Sequence, residues 1–295
     1  MSGGVADDPE MAGVLDSLNR AHEGTWHPVG PLRGGRKTGA WVVEDRDGVQ
    51  AVLKWYPSVS TRRHLDDAAA LVGRARAHGW PTPAWRAWGL DRRQRPYVLA
   101  ELVAGEHLDA MDHGALDALL AVLERQRALA GSTGTDRIAN AWRAVFEDGS
   151  RWRVALLRQS ADALQAGEAI ARHAAPFRDV RLPDADLVHM DFGLHNVLFR
   201  NGEVVAVVDL EGIGRGAVAI DVATLLFSVH GRDAAPDSVL TRLTAYAVDR
   251  DGPAVATVCL ASALFDWCVY ATRGWEPEAV TAYLLRAASL FDRLA

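Results

Sequence analysis

The hydrophobic pattern of this chain changes period once, near Gly105, and that change constrains its fold more than any other feature. Before it, short runs of β-formers alternate with turn residues; after it, apolar residues recur mostly at helical spacing. A helix over Asp8–Ala21 opens the chain. Val29–Leu32, Ala40–Val43 and Val49–Tyr56 then read as strands, the last two joined by the hairpin signal Asp45-Arg-Asp-Gly48. Trp85–Leu90 and Tyr97–Val103 add two strands around the charged turn Asp91–Arg95, and one main helix, Thr61–Ala77, is stopped by the prolines of Gly79-Trp-Pro-Thr-Pro83. Beyond Gly105, helices are expected over Leu108–Ala130, Ile138–Ala174, Val218–His230, Asp237–Val248, Pro253–Thr272 and Pro277–Leu294. A strand-loop-strand insert, Ala185–Asp191 and Glu203–Leu210, interrupts them. The pattern predicts an α+β chain: a β-rich antiparallel lobe over residues 1–103, a connector from residue 101, a larger helical lobe over residues 104–295, and a cleft between them.

Composition narrows the partners. A net charge of −6 disfavours nucleic acid, which needs a basic face, and mildly favours a cationic ligand. The two cysteines, Cys259 and Cys268, cannot build a disulfide framework and read as buried thiols in a reducing cytosol. With no signal-peptide-like start and no run of 18 apolar residues, a cytoplasmic protein without a membrane span is expected. Monomer and dimer both stay open. Of the 32 basic residues only two, Lys37 and Lys54, are lysines, so a chain that uses arginine by default gives those two lysines a claim to a specific task.

The chemically loaded stretch is His189-Met-Asp-Phe-Gly-Leu-His-Asn196, which puts a carboxylate and an amide five residues apart in a polar loop. Asp209 follows thirteen residues after Asn196, at the mouth of the apolar run Val204–Val208, where an unpartnered carboxylate would be costly. Asp191, Asn196 and Asp209 are oxygen donors suited to a hard cation such as Mg²⁺, and Asp191 can accept a proton from an attacking hydroxyl.

These residues carry a resemblance to the aminoglycoside phosphotransferase family, which shares the protein-kinase-like fold. His189-x-Asp191-x4-Asn196 resembles its catalytic loop, Val208-Asp209-Leu-Glu211 its metal motif, and Asp221-Val-Ala its downstream Asp-Leu-Ala segment. The resemblance implies a bilobal small-molecule kinase with Asp191 as base, Asn196 and Asp209 on Mg²⁺, and His189 and Asp221 as structural support for the loop. The tripeptide Asp191-Phe-Gly193 also spells the protein-kinase metal motif, but it precedes Asn196, and the metal role is given to Asp209.

The same resemblance places ATP, with GTP as the alternative nucleotide, against the β lobe. Ala51-Val-Leu-Lys54 is similar to the kinase strand whose lysine holds the α- and β-phosphates. Its helix partner would be Asp67, with Asp66 as the alternative, each one methylene shorter than the family's glutamate. Arg33-Gly-Gly-Arg-Lys-Thr-Gly39 would lie over the phosphates, with Gly34 and Gly35 allowing close approach and Lys37 adding charge. It is not a Walker-type loop. Leu99–Gly105 resembles the hinge, where adenine would bond the Glu101 carbonyl and the Val103 amide.

For the acceptor, a small-molecule hydroxyl compound, the helical lobe offers Glu211, Asp266, Glu276 and Glu278, which favour a cationic antibiotic of the aminoglycoside or basic-peptide kind. A metabolite such as choline, homoserine or an amino sugar is the alternative. Two other classes fit less well. A metallohydrolase using His189, Asp191 and His195 leaves Lys54 idle, and a silent nucleotide-binding module would not keep lysine, base and metal carboxylate together. A protein kinase is disfavoured because only eleven residues separate Asp209 from Asp221. Trp267 and Trp275 are expected to pack the core.

Overall fold

The structure is a computed structural model that describes residues 8–32, 40–56 and 62–294. The first part of the chain forms α1 (Pro9–Ala21) and a sheet of β1 (His27–Pro31), β2 (Ala40–Glu44), β3 (Gln50–Trp55), β4 (Trp85–Leu90) and β5 (Pro96–Glu101), antiparallel throughout in the order β1-β2-β3-β5-β4. Strand alternation sorts β3 into two faces. Ala51, Leu53 and Trp55 are buried against Met11, Val14, Leu15 and Leu18 of α1, which leaves Val52 and Lys54 on the opposite face, toward the cleft.

The single helix between β3 and β4, α2 (Arg62–Ala77), does not belong to that small core. Its Leu71, Val72 and Ala75, with Trp80 behind them, pack into the large core of the helical part. The division of residues expected near 103 from the change in period therefore does not coincide with the division of the hydrophobic cores.

The remaining helices are α3 (His113–Glu124), α4 (Ile138–Phe146), α5 (Arg151–Gln159), α6 (Ala161–Ala174), α7 (Ala219–Gly231), α8 (Asp237–Asp251), α9 (Pro253–Ala271) and α10 (Pro277–Ala288). The span Ile138–Ala174, expected as one helix, is three. Gly149, at φ 77°, separates the first two, and the Ser160 hydroxyl accepts from Ala163 N at 3.0 Å to start the third. The helix expected over Leu108–Ala130 is shorter, because Asp112 caps it at Ala115 N (2.8 Å) and Ala128 turns at φ 51°.

Among the described residues one helix, α9, is long and apolar enough to be weighed against the expectation of no membrane span. By length and composition it is apolar enough, at mean hydropathy 1.7, but 72% of that window is buried inside the helical lobe. A helix apolar on all sides is what the centre of such a lobe requires. Cys259 and Cys268 lie buried in it, and burial pushes both thiols up.

The strand insert is also rearranged. β7 (Val197–Arg200) and β8 (Glu203–Val207) form one hairpin around Asn201-Gly202, both at positive φ (55° and 81°), as a tight two-residue turn demands. β6 (Asp186–Val188) pairs instead with β9 (Gly214–Gly216). Crossing these two pairs brings the loop after β6 and the turn after β8 side by side.

Candidate active site

The loop after β6 is tied down from below by one buried carboxylate. Asp221, on the first turn of α7, accepts from His189 N (2.7 Å), Met190 N (2.8 Å) and Gln126 Nε2 (2.8 Å). One turn along α7, Thr224 Oγ1 accepts from Phe192 N at 3.1 Å. Burial pushes the Asp221 carboxyl up against the pull of these donors and of His189. Met190 is held at φ 77°, a conformation that costs about 1–3 kcal/mol and persists only because the surroundings impose it. His189 stitches the loop to the next strand: Nδ1 accepts from Asp191 N (3.2 Å) and Nε2 donates to Val208 O (2.7 Å). Both ring nitrogens are therefore occupied. That removes His189 as a ligand for a metallohydrolase, and among the described residues no group of three His, Cys, Asp or Glu side chains could hold a metal.

This scaffold presents Asp191 to the cleft. Its Oδ2 faces His195 Nε2 at 3.3 Å and accepts from Asn196 Nδ2 at 3.1 Å. Desolvation in the cleft would raise the Asp191 carboxyl, but the His195 hydrogen bond and charge, the His189 charge and the Asn196 amide outweigh it and hold the carboxyl below its usual range. The spelling Asp-Phe-Gly has a local cause, because a Cβ on Gly193 would lie 2.7 Å from Cε1 of the His195 ring, which packs over it.

Asn196 and Asp209 are brought together by the hairpin. Val208 N donates to Asn196 O at 2.9 Å, so Asp209 begins where the amide ends. Asp209 sits at φ 68°, ψ 54°, the left-handed region that Asp tolerates better than most residues. Its Oδ1 is buried, and the Lys54 ammonium meets it from β3 across the cleft as an ion pair. Lys54 also lies 3.7 Å from Glu211 Oε1 and 5.0 Å from the centroid of the Tyr56 ring.

Two expected placements change. Glu211, assigned to the acceptor, faces Lys54 and Tyr56, because the tight turn Leu210–Gly212 carries it to the nucleotide side. Asp67 makes no hydrogen bond or ion pair with Lys54 among the described residues; it sits half-buried on α2, while the C-terminal carboxylates reach the ammonium first. The alternative, Asp66, accepts from Trp88 Nε1 at 2.8 Å.

The donor set fits a hard cation. Asn196 commits its Nδ2 to Asp191 O (2.8 Å) and Oδ2, which leaves its amide oxygen, and Asp209 contributes a buried carboxylate oxygen that faces the cleft and the Lys54 ammonium. The connector fits a base edge. Val103 makes no backbone hydrogen bond among the described residues, while the Glu101 side chain is drawn away by Ala84 N (3.2 Å) and Arg76 (3.4 Å). Gly34, Gly35 and Lys37 lie outside the described residues.

The acceptor side is more mixed than the sequence suggests. Asp266 is half-buried on α9, Glu276 and Glu278 are exposed at the start of α10, and Trp267 and Trp275 pack edge-to-face at 5.2 Å with Tyr283 against both. Sequence reasoning missed Tyr56, whose hydroxyl is raised well above 10 by burial and then by Glu211. Its position two residues after Lys54 was the available signal. It also missed Gln126, for which no local signal exists, and Thr224, one helical turn after Asp221.

With this geometry in place, the family model that matches the chain is the phosphotransferase enzyme family, over residues 29–256. The chain belongs to that family. No curated protein matches the sequence. Among solved structures, a thermostable mutant of aminoglycoside phosphotransferase APH(4)-Ia in ternary complex with ADP and hygromycin B aligns with TM-score 0.62 and 14% identity, covering 86% of this chain and 90% of its own. The enzyme APH(3'')-Id from Streptomyces rimosus, in complex with ADP and streptomycin, aligns with TM-score 0.55 and 14% identity over 87% and 98%. ADP-bound APH(2'')-Ib gives TM-score 0.55 at 14% identity over 96% and 99%. At such identities the likeness is one of fold, the kinase-like α+β fold. Membership of the phosphotransferase enzyme family makes this protein a small-molecule kinase.

Proposed function

We propose that this member of the phosphotransferase enzyme family transfers the γ-phosphoryl group of Mg·ATP to a hydroxyl of an amine-bearing small molecule, with cationic antibiotics as the first class to test. The observation that carries the reading is the meeting of four groups from two lobes: Asp191, Asn196 and Asp209 on adjacent turns, with Lys54 reaching Asp209 from the opposite sheet. ADP in the ternary complexes of structural neighbours supports the nucleotide, and hygromycin B and streptomycin in them support the acceptor class.

Phosphoryl transfer asks mainly for position and charge neutralisation. Lys54 would neutralise the α- and β-phosphates, the Val103 amide and Glu101 carbonyl would hold the base, and Asn196 and Asp209 would hold a Mg²⁺ ion that supplies charge screening for the transferred group. Asp191, ionised at neutral pH because His195 and Asn196 favour its charged form, orients the acceptor hydroxyl and takes its proton. The net charge of −6 and the carboxylates Asp266 and Glu276 draw an ammonium-bearing acceptor toward the helical lobe. Incubation with Mg·ATP and panels of aminoglycosides, basic peptides, choline and amino sugars, followed by mass analysis for one added phosphoryl group, tests the proposal. A protein that binds Mg·ATP yet phosphorylates no amine-bearing compound would remove the acceptor class and leave the family standing.

A further inference from the structure

Two charged groups on the helical side of the cleft have no ion-pair partner among the described residues, and they carry opposite signs. Arg137, at the entry to α4, is laid over the strand β9: its backbone N donates to Arg215 O at 2.9 Å. A Cβ on Gly214 would lie 2.7 Å from its Nε, and a Cβ on Gly216 3.3 Å from its own Cβ, so the glycine track is what gives this side chain room. The guanidinium nevertheless has little to bond. Its one described hydrogen bond is a long one, Nη2 to Ile213 O at 3.4 Å, and its Nε is buried without an acceptor. An arginine planted in a glycine groove with its Nε buried and unmet, on a half-buried side chain, is arranged for an acceptor it does not find within the described fold.

Asp266 faces the same space from α9. Among the described residues it makes no hydrogen bond and no ion pair, although both Arg151 and Arg137 act on it electrostatically. Desolvation pushes its carboxyl up, and the two guanidiniums pull it back; for Arg137 desolvation lowers the pKa, and Asp266 and Tyr270 support the charge. Opposite charges this near each other normally close into an ion pair. Here each is held on its own rigid element, Arg137 by β9 and Asp266 by α9, so the gap between them is built in.

The pair stands beside the reacting groups. Arg137 bonds Ile213, the residue after Gly212, and a Cβ on Gly212 would lie 3.0 Å from His189 O and 3.4 Å from Met190 Cβ in the loop that carries Asp191. A molecule that places its hydroxyl at Asp191 would have Arg137 on its flank, with Asp266 beyond it on α9, the helix that packs against α4.

We propose that Arg137 and Asp266 form the acceptor-recognition pair, and that the acceptor is amphoteric, carrying a carboxylate for Arg137 and an amine for Asp266 on the same hydroxylated molecule. The inference rests on the phosphotransferase reading above and deepens it, since an acceptor bearing amines alone would meet two guanidiniums around a single carboxylate. A planar guanidinium matches a carboxylate through two parallel N–H bonds, which an ammonium ligand cannot use.

The test uses the enzyme with Mg·ATP and two matched sets of probes: L-serine, ethanolamine and 3-hydroxypropanoate; L-homoserine, 3-aminopropan-1-ol and 4-hydroxybutyrate. Within each set the second lacks the carboxylate and the third the amine. Acceptor-dependent ADP release is expected to favour an amphoteric probe at least tenfold in kcat/KM over both of its counterparts. R137Q is expected to raise the KM for that probe at least tenfold with kcat changed less than threefold, and to erase the preference over the amine-only compound. D266N, an independent variant on another element, should erase the preference over the carboxylate-only compound. Thermal unfolding of each variant checks that it folds. Preference of the wild type for amine-only probes, no acceptance of any amphoteric probe, or a folded R137Q with unchanged KM would each overturn the proposal. Failure of the wild type to bind a fluorescent ATP analogue in the presence of Mg²⁺ would instead strike the phosphotransferase reading itself.

Discussion

The Asp191 carboxylate owes its working state to its neighbours. A carboxyl held below its ordinary value stays ionised across the neutral range and loses its charge only as pH falls through the lowered pKa. With His195 gone, desolvation acts with less opposition and the pKa rises. His195→Ala is therefore expected to move the acid limb of kcat to higher pH, read from kcat between pH 4 and 8; an acid limb that stays in place would show that His195 does not act on the base. The two acidic site residues should also separate by what they lose. Asp191→Asn is expected to cut kcat by about 10²–10⁴ while leaving Mg·ATP affinity unchanged, since a base acts on the acceptor. Asp209→Asn keeps a residue that tolerates the left-handed backbone at φ 68° but loses the charge facing Lys54 and the cation, so Mg-dependent nucleotide binding should fall along with rate. Calorimetry with and without Mg²⁺ distinguishes them, and equal Mg·ATP binding by both would mean that Asp209 is not the metal carboxylate. The placement of Asp191, Asn196, Asp209 and Asp221 around one loop was legible because it depends on short spacings within one loop, hairpin and helix turn. Glu211 and Asp67 were not, since which carboxylate reaches Lys54 depends on how two lobes approach, and spacing carries no information about that.

Elements were legible where periodicity ended at a strong breaker and misread where it ended at a cap. The prolines after α2 and the Asn201-Gly202 turn announced themselves. Ile138–Ala174 did not, because its apolar period continues across two interruptions that are only a glycine and a serine. Ser160 stands at φ −165°, outside helical geometry, and its hydroxyl satisfies Ala163 N while Asp162 places a negative charge in the first turn of α6. Ser160→Ala should destabilise the protein by about 1 kcal/mol through loss of the cap, with kcat and KM unaffected because α6 lies away from the cleft residues. Denaturant midpoints at constant m-value measure it. A continuous helix through 151–174 would make the substitution neutral or stabilising, since alanine is the better interior residue.

At the scale of the whole molecule, the change of period at Gly105 marks where strands give way to helices, but not where one cooperative unit ends. The small core beneath α1 and the sheet contains Trp41 and Trp55, whereas α2, placed in sequence between β3 and β4, contributes Leu71 (1% exposed) and its neighbours to the large core with Trp152 and α9. Periodicity reports which face of a helix is apolar, not which of two cores that face will meet. Since α2 is joined to the sheet at both ends by short connections and buried in the other core, neither lobe can lose its structure without exposing apolar surface in the other. Leu71→Ala should cost roughly 2–5 kcal/mol, as buried leucine truncations do. The loss should appear equally in both lobes: unfolding followed at Trp41 and Trp55, with the other tryptophans replaced by phenylalanine, and unfolding followed by hydrogen exchange in α9 should share one midpoint and shift together in the variant. Two separated transitions, with only the α9 signal moved by Leu71→Ala, would show that the sheet folds as an independent unit and that the kinase cleft is a hinge between two autonomous domains.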